Sequence, residues 1–400
     1  MRQKQHDVDV LVVGSGPVGL YTALSLAERG VGVEVIDREW RGASHSYALA
    51  LHPQTLRLLD DLGAADALFK QGRRIEQIEL YEGGTRLASF DLTALDGPFP
   101  CVLAVPQSAL EAALEERLSR KGVKVSWNHQ ALAFNEGFGT VGARVGRMEK
   151  YSLGYPVART EWAVAKELDY RAQFVVGADG YSSFVRRHLG VDNETVGASE
   201  TFAVFEFPGD MRQHDRAAIA FQDELASVMW PLGPERGRWS FQLPAGGDQA
   251  SQPTLASLVA ARAPWFEPVP EQNLWTTEAL FERRLVSRFG RDRIWLVGDA
   301  AHVTGPIGCQ SMNVGIHEAH ELTELLSSTL KDSATPDTLE RFGRDRHREW
   351  RRLLGSEGQL TARPGSPLHG RRLVGRLLPC VPAAGRDLER LLGQVGLELS

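Results

Sequence analysis

The chain has 400 residues, of which 42% are apolar and 24% are charged, and this composition is typical of globular domains with a sizeable core. Its formal net charge of -6 argues against nucleic acid as a partner of the whole molecule. The three cysteines, Cys101, Cys309 and Cys380, lie far apart without a CxxC pair, so neither a disulfide framework nor a metal site is expected.

The N-terminus and the hydropathy of the chain give its expected location. The first residues, MRQKQHDVDVLVVG, lack the pattern of a signal peptide, because their apolar stretch is short and leads directly into a glycine turn. No uninterrupted apolar run reaches the roughly 18 residues that a membrane-spanning helix needs. We therefore expect a cytoplasmic protein without a transmembrane segment.

The first part of the chain predicts alternating strands and helices. Residues 8–13 form an apolar strand, glycines and a helical pattern follow, and a second strand ends at Asp37. Helices are predicted at 53–62 and 107–121, and an antiparallel excursion is predicted between 75 and 105. The segment from residue 8 to Asp37 is therefore predicted to be a βαβ unit.

The second part changes character and then returns to the first pattern. Short strands divided by turns, from about 198 to 285, predict an antiparallel sheet in a second domain. The apolar run RIWLVGD returns to the buried-strand type, and a helix is predicted from about 313 to 330. The tail is helical and basic, with ten arginines and three acidic residues between Arg341 and Arg376. This stretch indicates either a solvated helical face or a surface for an anionic partner.

The sequence GSGPVG, residues 14–19, follows the first predicted strand and opens the first predicted helix. Gly14 permits a tight turn, Gly16 lets the backbone approach a pyrophosphate, and Gly19 lets helix and strand pack closely. The free N–H groups at the helix N-terminus favour phosphate charge. Asp37 is placed to accept hydrogen bonds from a ribose diol, which favours FAD or NAD over NADP. Together these features predict dinucleotide binding.

Two further stretches place a buried strand before a glycine turn. GADGYSSFVR, residues 177–186, is by itself also compatible with an ordinary turn between a strand and a helix. GDAAHVTGPIGCQSMN, residues 298–313, carries a carboxylate at a strand end. The loop after it can aim backbone N–H groups at a ligand, with the dipole of the next helix behind them.

The three stretches, in this order, resemble the class A flavoprotein monooxygenases, the single-component aromatic hydroxylases of the para-hydroxybenzoate hydroxylase type. The resemblance covers residues 8 to about 330. It implies a mixed α/β fold with a Rossmann-like FAD-binding domain, an antiparallel-sheet substrate domain and a helical C-terminal region. The expected FAD-binding domain comprises residues 1–74, 104–190 and 286–330, the substrate domain 75–103 and 191–285, and the C-terminal region 331–400.

The resemblance also implies an activity. NADH or NADPH reduces the flavin, dioxygen adds to form a C4a-hydroperoxide, and this species hydroxylates an electron-rich aromatic or polyketide-like small molecule. Because the chain ends at residue 400 without the thioredoxin-like domain of longer relatives, we expect a compact hydroxylase that is a monomer or a homodimer.

The family implies cofactor-binding roles for residues of all three stretches. Those at the pyrophosphate and the adenosine ribose are Gly14, Ser15, Gly16, Pro17, Gly19, Asp37 and Arg38. Gln107 is implied to contact the ribityl chain, and Asp179 and Gly180 lie near the pyrophosphate, where the nicotinamide cofactor is also admitted. The residues implied at the ribityl chain or along the flavin are Gly298, Asp299, Pro306, Gly308, Cys309, Gln310, Ser311, Met312 and Asn313. The backbone of Pro306 is the catalytic candidate.

The chain departs from the family's pattern at three positions. Cys309 and Ser311 stand where glycine is usual, and both are small enough for flavin binding to be kept. Cys309 is interpreted as a small buried residue, with a reactive thiol as the alternative. Tyr47 stands near the FAD where many relatives carry arginine, which leaves the binding mode of NAD(P)H open, with Arg41 or His45 as candidates for the missing charge.

The substrate side has weaker signals. Six large side chains on the strands of the second domain form either sheet core or the wall of an apolar cavity, namely Phe205, Phe207, Met229, Trp230, Trp239 and Phe241. His52, His214 and His302 are candidates for acid–base work, although a structural role is favoured for His302 because it belongs to the flavin stretch. No residue that deprotonates a phenol can be named from the sequence.

Three alternatives remain open at this point. A flavin-dependent halogenase shares the fold, but its WxWxIP stretch is absent from this sequence. A prenyl-chain reductase of the same superfamily normally carries a cysteine-bearing signature near the flavin, of which Cys309 is the sole trace. The third alternative, motivated by Tyr47, is a cyclase or binding protein that holds FAD without oxidising NAD(P)H.

Overall fold

The structure, a computed structural model, describes residues 5–40, 50–137, 139–153, 159–212, 214–245, 253–267, 272–331 and 336–399. Tyr47, Arg41 and His45 lie outside these residues. The α-helices found in the described residues are α1 (Pro17–Glu28), α2 (Pro53–Asp61), α3 (Ala65–Phe69), α4 (Gln107–Arg120), α5 (Phe184–Leu189), α6 (Leu255–Arg262), α7 (Gln310–Leu330), α8 (Pro336–Leu353), α9 (Val374–Leu377) and α10 (Gly385–Gln394). Short 3₁₀ turns cover Leu92–Ala94, Gly298–Ala300 and Leu378–Cys380.

The strands are numbered along the chain in the same way. Those before residue 180 are β1 (Gln5–Val13), β2 (Val33–Asp37), β3 (Ala50–Leu51), β4 (Arg73–Ile75), β5 (Gln77–Glu82), β6 (Thr85–Asp91), β7 (Val102–Ala104), β8 (Val125–Trp127), β9 (His129–Gly137), β10 (Thr140–Leu153) and β11 (Arg159–Gly177). Those after it are β12 (Asn193–Thr195), β13 (Glu200–Pro208), β14 (Ala217–Gln222), β15 (Leu225–Pro231), β16 (Arg236–Gln242), β17 (Trp275–Phe281), β18 (Arg284–Val286), β19 (Gly290–Arg291), β20 (Ile294–Leu296), β21 (His302–Val303), β22 (Leu360–Ala362) and β23 (Leu397–Leu399).

A central sheet carries the three glycine-bearing stretches. Its parallel strands run in the order β20–β11–β1–β2–β8, and the antiparallel strands β9, β10 and β19 extend it. This is the order of a doubly wound dinucleotide-binding sheet, in which ligands lie beyond the carboxyl ends of the strands. β1, β11 and β20 are followed by the three stretches, so the topology brings all three to one edge of the sheet.

A second sheet has seven strands in the order β17–β13–β16–β15–β14–β5–β6. Its pairs are antiparallel except β14 with β5, which are parallel. Strands β5 and β6 of the predicted excursion therefore join the same sheet as the strands between 200 and 281, whereas β7 pairs with β3 and β4. α6, which the sequence reading did not predict, covers one face of this sheet with Leu255, Val259 and the nearby Phe266.

The C-terminal region packs onto both sheets. Buried Trp350, Leu373 and Leu377 belong to the same apolar cluster as residues of the central and seven-stranded sheets. Its arginines pair with acidic residues, as Arg346 does with Glu321 (3.5 Å) and Arg372 with Glu224 (3.4 Å). Such pairing accounts for much of the basic stretch without an anionic partner.

The predicted fold class is confirmed: the chain combines a Rossmann-like sheet, an antiparallel sheet and a helical C-terminal region. One helix start differs from the expectation, since α7 begins at Gln310 rather than near Asn313. The difference arises because Cys309 takes the left-handed conformation (φ 52°) and turns the chain directly into the helix. Among the described residues, no α-helix has both the length and the apolar character needed to cross a bilayer.

Candidate active site

A cavity of about 370 Å³ lies at the edge of the central sheet where the three stretches meet. Its volume lies in the range of roughly 300–1,000 Å³ that is usual for small-molecule sites. The residues around it are Gly16, Pro17, Val18, Gln107, Ala178, Gly180, Phe281, Val297, Asp299, Val303, Thr304, Gly305, Pro306, Cys309, Ser311 and Met312. Residues far apart in sequence therefore form one site.

The glycines of the first stretch differ in what surrounds them. A Cβ atom on Gly14 would lie 2.2 Å from the carbonyl oxygen of Ala178, and one on Gly19 would lie 2.1 Å from that of Gly14. Gly14 and Gly19 therefore serve close packing between the turn, α1 and β11. A Cβ on Gly16 would meet no protein atom within 4 Å, so Gly16 presents open backbone to the cavity at the N-terminus of α1.

Asp37 is engaged by the turn itself. Its Oδ2 accepts hydrogen bonds from the backbone N–H of Ser15 (2.6 Å) and from the Ser15 hydroxyl (2.8 Å). Its Oδ1 accepts from the backbone N–H of Glu39 (2.8 Å). Arg38 is exposed beside Glu39. Asp37 thus fixes the glycine turn, and its remaining lone pairs are what a ribose diol would use.

The second stretch is held together by its own side chains. The carboxylate of Asp179 accepts hydrogen bonds from the Ser183 hydroxyl and from the backbone N–H groups of Phe184 (2.6 Å) and Val185 (3.1 Å). Burial raises the pKa of Asp179, and these hydrogen bonds oppose the rise. Asp179 therefore caps the start of α5, while the neighbouring Gly180 lines the cavity.

Arg186 joins the second stretch to the third. Its buried guanidinium donates to the carbonyl oxygen of Ala300 (2.9 Å) and to that of Tyr181 (2.6 Å). Asp299, next to Ala300, is exposed at the cavity wall, and Gly298 packs against Val18 of α1. Desolvation by the surrounding protein raises the pKa of the Asp299 carboxyl group, while nearby His302 opposes the rise and Glu318 adds to it.

The N-terminus of α7 opens on the cavity through Cys309, Ser311 and Met312. Cys309 is the N-cap residue but provides no side-chain cap, and the first turn holds no acidic residue. The first N–H groups of the helix thus present partial positive charge to the cavity. The Ser311 hydroxyl accepts a hydrogen bond from the backbone N–H of Thr304 (3.1 Å) and fastens the loop before the helix.

Gly308, Gln310 and Asn313 face protein rather than the cavity. A Cβ on Gly308 would lie 2.3 Å from the carbonyl oxygen of Pro379. The side-chain amide of buried Gln310 donates to the carbonyl oxygens of Val381 (2.6 Å) and Ala383 (3.1 Å). Asn313 accepts a hydrogen bond from the backbone N–H of His52 (2.8 Å). These residues hold the loop in place from behind.

Of the three candidate histidines, His52 and His302 support the site from buried positions. The Nε2 of His52 lies 2.8 Å from the carbonyl oxygen of Gly308, and burial lowers the pKa of His52 to about 4. His52 is thus neutral near pH 7 and donates to Gly308. His302 pairs with Glu318, and His214 packs on Phe266 in the other sheet.

Several independent observations indicate that the residues around the cavity fit FAD. Open backbone at Gly16, at the N-terminus of α1, suits a pyrophosphate. The amide of Gln107 lies at the cavity wall and donates to Glu111 (2.7 Å). The hydroxyl of Thr304, also at the wall, is buried without a hydrogen-bond partner among the described residues. A ligand with polar groups along its length would satisfy these positions.

The six side chains predicted for substrate contact lie elsewhere. Five of them form the apolar core between the seven-stranded sheet and α6, namely Phe205, Phe207, Met229, Trp239 and Phe241. Trp230 lies on the opposite face, because neighbouring residues of a strand point to opposite sides. The structure therefore does not bring these six side chains to the cavity.

Several residues that line the cavity were not predicted from the sequence, among them Phe281, Thr304 and Gly305. Phe281 ends β17 and reaches the cavity, with its ring 5.6 Å from that of Phe202 in an edge-to-face arrangement. The signal in the sequence was the strand WTTEALF, whose last residue precedes three charged residues. Gly305 stands inside the third stretch, beside Pro306, which the family pattern had marked.

The FAD binding domain family matches residues 7–355 of the chain. A 6-methylpretetramide 4-monooxygenase of Streptomyces rimosus is 29% identical over 363 residues, which are 88% of this chain and 61% of that protein. The uncharacterized aromatic compound monooxygenase YhjG of Bacillus subtilis (strain 168) is 30% identical over 361 residues, which are 85% of this chain and 65% of that protein. The chain thus spans under two thirds of the length of both relatives.

Solved structures are similar as well. The crystal structure of p-nitrophenol 4-monooxygenase PnpA from Pseudomonas putida DLL-E4 matches with a TM-score of 0.73 and 25% sequence identity, over 86% of each chain.

Proposed function

The chain belongs to the FAD binding domain family, and from that premise we propose that it is an FAD-dependent monooxygenase that uses NADH or NADPH. Its substrate in this proposal is an aromatic or polyketide-like small molecule with an electron-rich carbon. The route of oxygen transfer that the resemblance implies is part of the same proposal, as are the cytoplasmic location and the monomeric or homodimeric state.

The observation that carries the proposal is the cavity that residues of all three stretches share. Gly16 comes from the first stretch, Gly180 from the second, and Asp299 and Pro306 from the third. A turn that served chain packing alone would not need open backbone facing a cavity. The convergence at one sheet edge is what a dinucleotide cofactor of extended shape requires.

In this proposal, different residues of the chain hold different parts of FAD. The N-terminus of α1 at Gly16 stabilises negative charge at the pyrophosphate, and Gln107 and Asp299 supply hydrogen bonds for a polyol chain. The N-terminus of α7 stabilises negative charge at the other end of the cavity, beside Pro306 and Cys309. When bound and reduced, FAD supplies the activation of dioxygen for transfer of one oxygen atom to the substrate.

The relatives and the second sheet both support the proposed substrate class. The names of two relatives describe monooxygenases of 6-methylpretetramide and of p-nitrophenol. In this chain the cavity has an apolar wall at Phe281, which belongs to the seven-stranded sheet. We also propose the discontinuous domain division given above, on the support of the strand pairing between β5 and β14.

Anaerobic reduction of the FAD-reconstituted chain tests the proposal. NADH and NADPH are mixed separately with the protein, with and without 4-nitrophenol, 1-naphthol and a hydroxyanthraquinone, and flavin absorbance is followed. Bleaching that one aromatic compound accelerates supports the monooxygenase. Absence of bleaching by either nucleotide in every mixture overturns it and favours a protein that holds FAD as a scaffold.

A further inference from the structure

Glu200, the first residue of β13, has a side chain only 10% exposed and three hydrogen-bond donors on one of its two oxygens. The donors are the amide of Gln242 (3.2 Å), the guanidinium of Arg283 (2.9 Å) and the guanidinium of Arg376 (2.8 Å), all directed to Oε1. This clamp joins the seven-stranded sheet to α9. Its two cations stabilise the negative charge of the carboxylate.

The second oxygen of Glu200 accepts no hydrogen bond from the described residues. It lies beside Gly305, because a Cβ on Gly305 would be 3.1 Å from Oε2. Gly305 lines the cavity, and so does Phe281, which pairs directly with Glu200 across β13 and β17. Side chains of directly paired residues lie on the same face of a sheet. Oε2 therefore sits at the border of the cavity with its acceptor capacity unused.

We propose that Glu200 is the residue that recognises a hydroxyl group on the aromatic substrate, through a hydrogen bond from that hydroxyl to Oε2. The inference rests on the proposed function, since it takes the ligand at this border to be an aromatic compound. The cofactor is held by the motifs of the central sheet, whereas Glu200 belongs to the seven-stranded sheet. A hydroxyl that shares its proton with a carboxylate makes the ring more electron-rich, which is the property an electrophilic oxygen transfer needs.

The clamp on Oε1 explains how a charged acceptor is kept in this place. An uncompensated carboxylate would be expensive to bury, and the two guanidinium groups offset that penalty. The three donors on Oε1 restrict rotation of the carboxylate and keep Oε2 beside Gly305. Arg376 lies in α9, shortly before Pro379, whose carbonyl oxygen packs on Gly308, so the C-terminal region takes part in orienting this acceptor.

Binding to the FAD-reconstituted full chain tests the inference without any need for turnover. Dissociation constants are measured from changes in the flavin spectrum for two matched pairs, 4-nitrophenol with 4-nitroanisole and 1-naphthol with 1-methoxynaphthalene. The ethers keep the ring and lose the donor. In the wild-type chain at least one phenol should bind about 10-fold tighter than its ether, which is the usual effect of one hydrogen bond to a charged group.

The variants are Glu200→Gln and Glu200→Asp, with Glu206→Gln as the matched control. Glu206 lies on the same strand and face, pairs with Arg238, and is at the end of β13 away from Phe281. We expect Glu200→Gln to remove the preference for the phenol while leaving ether binding and FAD affinity unchanged. Glu200→Asp keeps the charge for Arg283 and Arg376 but withdraws the acceptor, so it should weaken the preference even if Glu200→Gln does not fold. Glu206→Gln should retain the full preference.

Three outcomes overturn the inference: a wild-type chain that prefers neither phenol over its ether, a Glu200 variant that weakens phenol and ether equally, and a preference that survives both folded Glu200 variants. A loss of FAD affinity in the variants overturns it too, since Oε2 would then serve the cofactor. Failure of the proposed function looks different. A chain that discriminates phenol from ether through Glu200 but is reduced by neither NADH nor NADPH would keep this inference and reject the monooxygenase.

Discussion

The imidazole Nε2 of His302 lies 2.7 Å from the carboxylate of Glu318, and neither side chain is exposed. The same carboxylate accepts hydrogen bonds from the indole N–H of Trp350 (2.5 Å) and the backbone N–H of Gly298 (3.3 Å). The rings of His302 and Trp350 stack with centroids 3.7 Å apart. Glu318 thus ties α7 and α8 to the turn that carries Asp299 into the cavity.

Substitution of Glu318 by glutamine should destabilise the fold and disturb the cofactor site together. Glutamine has the same size as glutamate, but one carboxylate oxygen is replaced by an NH₂ group. The N–H donors that this oxygen accepted from in the wild-type chain are then left without an acceptor. We expect a loss of about 2 kcal/mol in the free energy of unfolding, which is the usual penalty for unsatisfied buried donors. Urea denaturation measures that loss, and a titration with FAD should show weaker binding because the Asp299 turn is less well held.

The control is Glu321→Gln on the same helix, at a partly exposed side chain near Arg346. A surface change of this kind should alter the free energy of unfolding by about 0.5 kcal/mol or less. If both variants lose the same stability, or if Glu318→Gln binds FAD as tightly as the wild-type chain, the role given to Glu318 is wrong.

Alanine substitutions at Gly16 and Gly14 should affect cofactor binding and folding, respectively. Gly16 has φ -67°, which alanine adopts freely, and a Cβ there meets no protein atom within 4 Å. Gly16→Ala should therefore fold within about 1 kcal/mol of the wild-type chain, a difference typical of N-cap changes, and lose FAD affinity about 10-fold or more. Thermal melting of the cofactor-free chain and fluorescence titration with FAD measure the two effects.

Gly14→Ala is the contrasting variant. Gly14 has φ 105°, and its added methyl would lie 2.2 Å from the carbonyl oxygen of Ala178, so the cofactor-free chain itself should melt at lower temperature. Tight FAD binding by Gly16→Ala, or equal melting of the two variants without FAD, would contradict the assignment of Gly16 to the ligand and of Gly14 to packing.

His52 should make stability fall as the solution becomes acidic. Burial lowers its pKa from 6.5 to about 4, so between these values the unfolded chain binds more protons than the native one. Stability therefore rises with pH through this window, is fully present above pH 6.5, and is lost as pH falls toward 4. The contribution of His52 over the window is about 3 kcal/mol, from roughly 1.4 kcal/mol for each pKa unit. Buried His317, whose pKa is lowered to about 3, acts in the same direction.

The measurement is the free energy of unfolding in urea at pH 7, 6, 5 and 4.5. His52→Gln keeps an amide donor for Gly308 and cannot titrate, so its stability should decline less steeply below pH 6.5. His214→Gln, at a half-buried histidine beside Phe266, should keep the steep decline. Parallel curves for wild type and His52→Gln would show that His52 does not govern the acid response.

The cofactor stretches were predictable because their information is local. A strand, a glycine turn and a helix lie within a short segment, so the sequence placed Gly16, Gly180 and Asp299, and the structure brings them to one cavity. Which face of the second sheet lines the cavity could not be predicted from such local patterns. Alternation shows that Phe205 and Glu206 point to opposite sides, but which side meets the cavity depends on where α6 and the C-terminal region pack.

The support behind the flavin loop was not predictable for a similar reason. Gln310 belongs to the third stretch, and its position there indicated a cofactor contact. Its amide instead binds the carbonyl oxygens of Val381 and Ala383, some 70 residues later in the chain. No spacing rule connects such distant segments, because their contact results from the tertiary packing of α9 and α10. Glu200 was missed likewise, since its clamp includes Arg376.

Cys309 offers a test of the conformation that glycine normally takes at this position. Its φ of 52° lies in the left-handed region, where a residue with a Cβ is disfavoured by about 1 kcal/mol or more relative to glycine. Cys309→Gly should therefore be about 1 kcal/mol more stable than Cys309→Ala, although glycine usually weakens a fold by comparison with alanine. Urea denaturation of the two variants measures the difference.

Cys380 is the matched comparison, because it is also a buried cysteine but lies in a 3₁₀ turn between Leu378 and Val381 with no positive φ. At that position Cys380→Ala should be more stable than Cys380→Gly, so the order of alanine and glycine reverses between the two cysteines. The same order at both positions would mean that backbone conformation does not decide the effect at Cys309. A reversal would show that the left-handed backbone conformation at Cys309 decides the order of the two variants there.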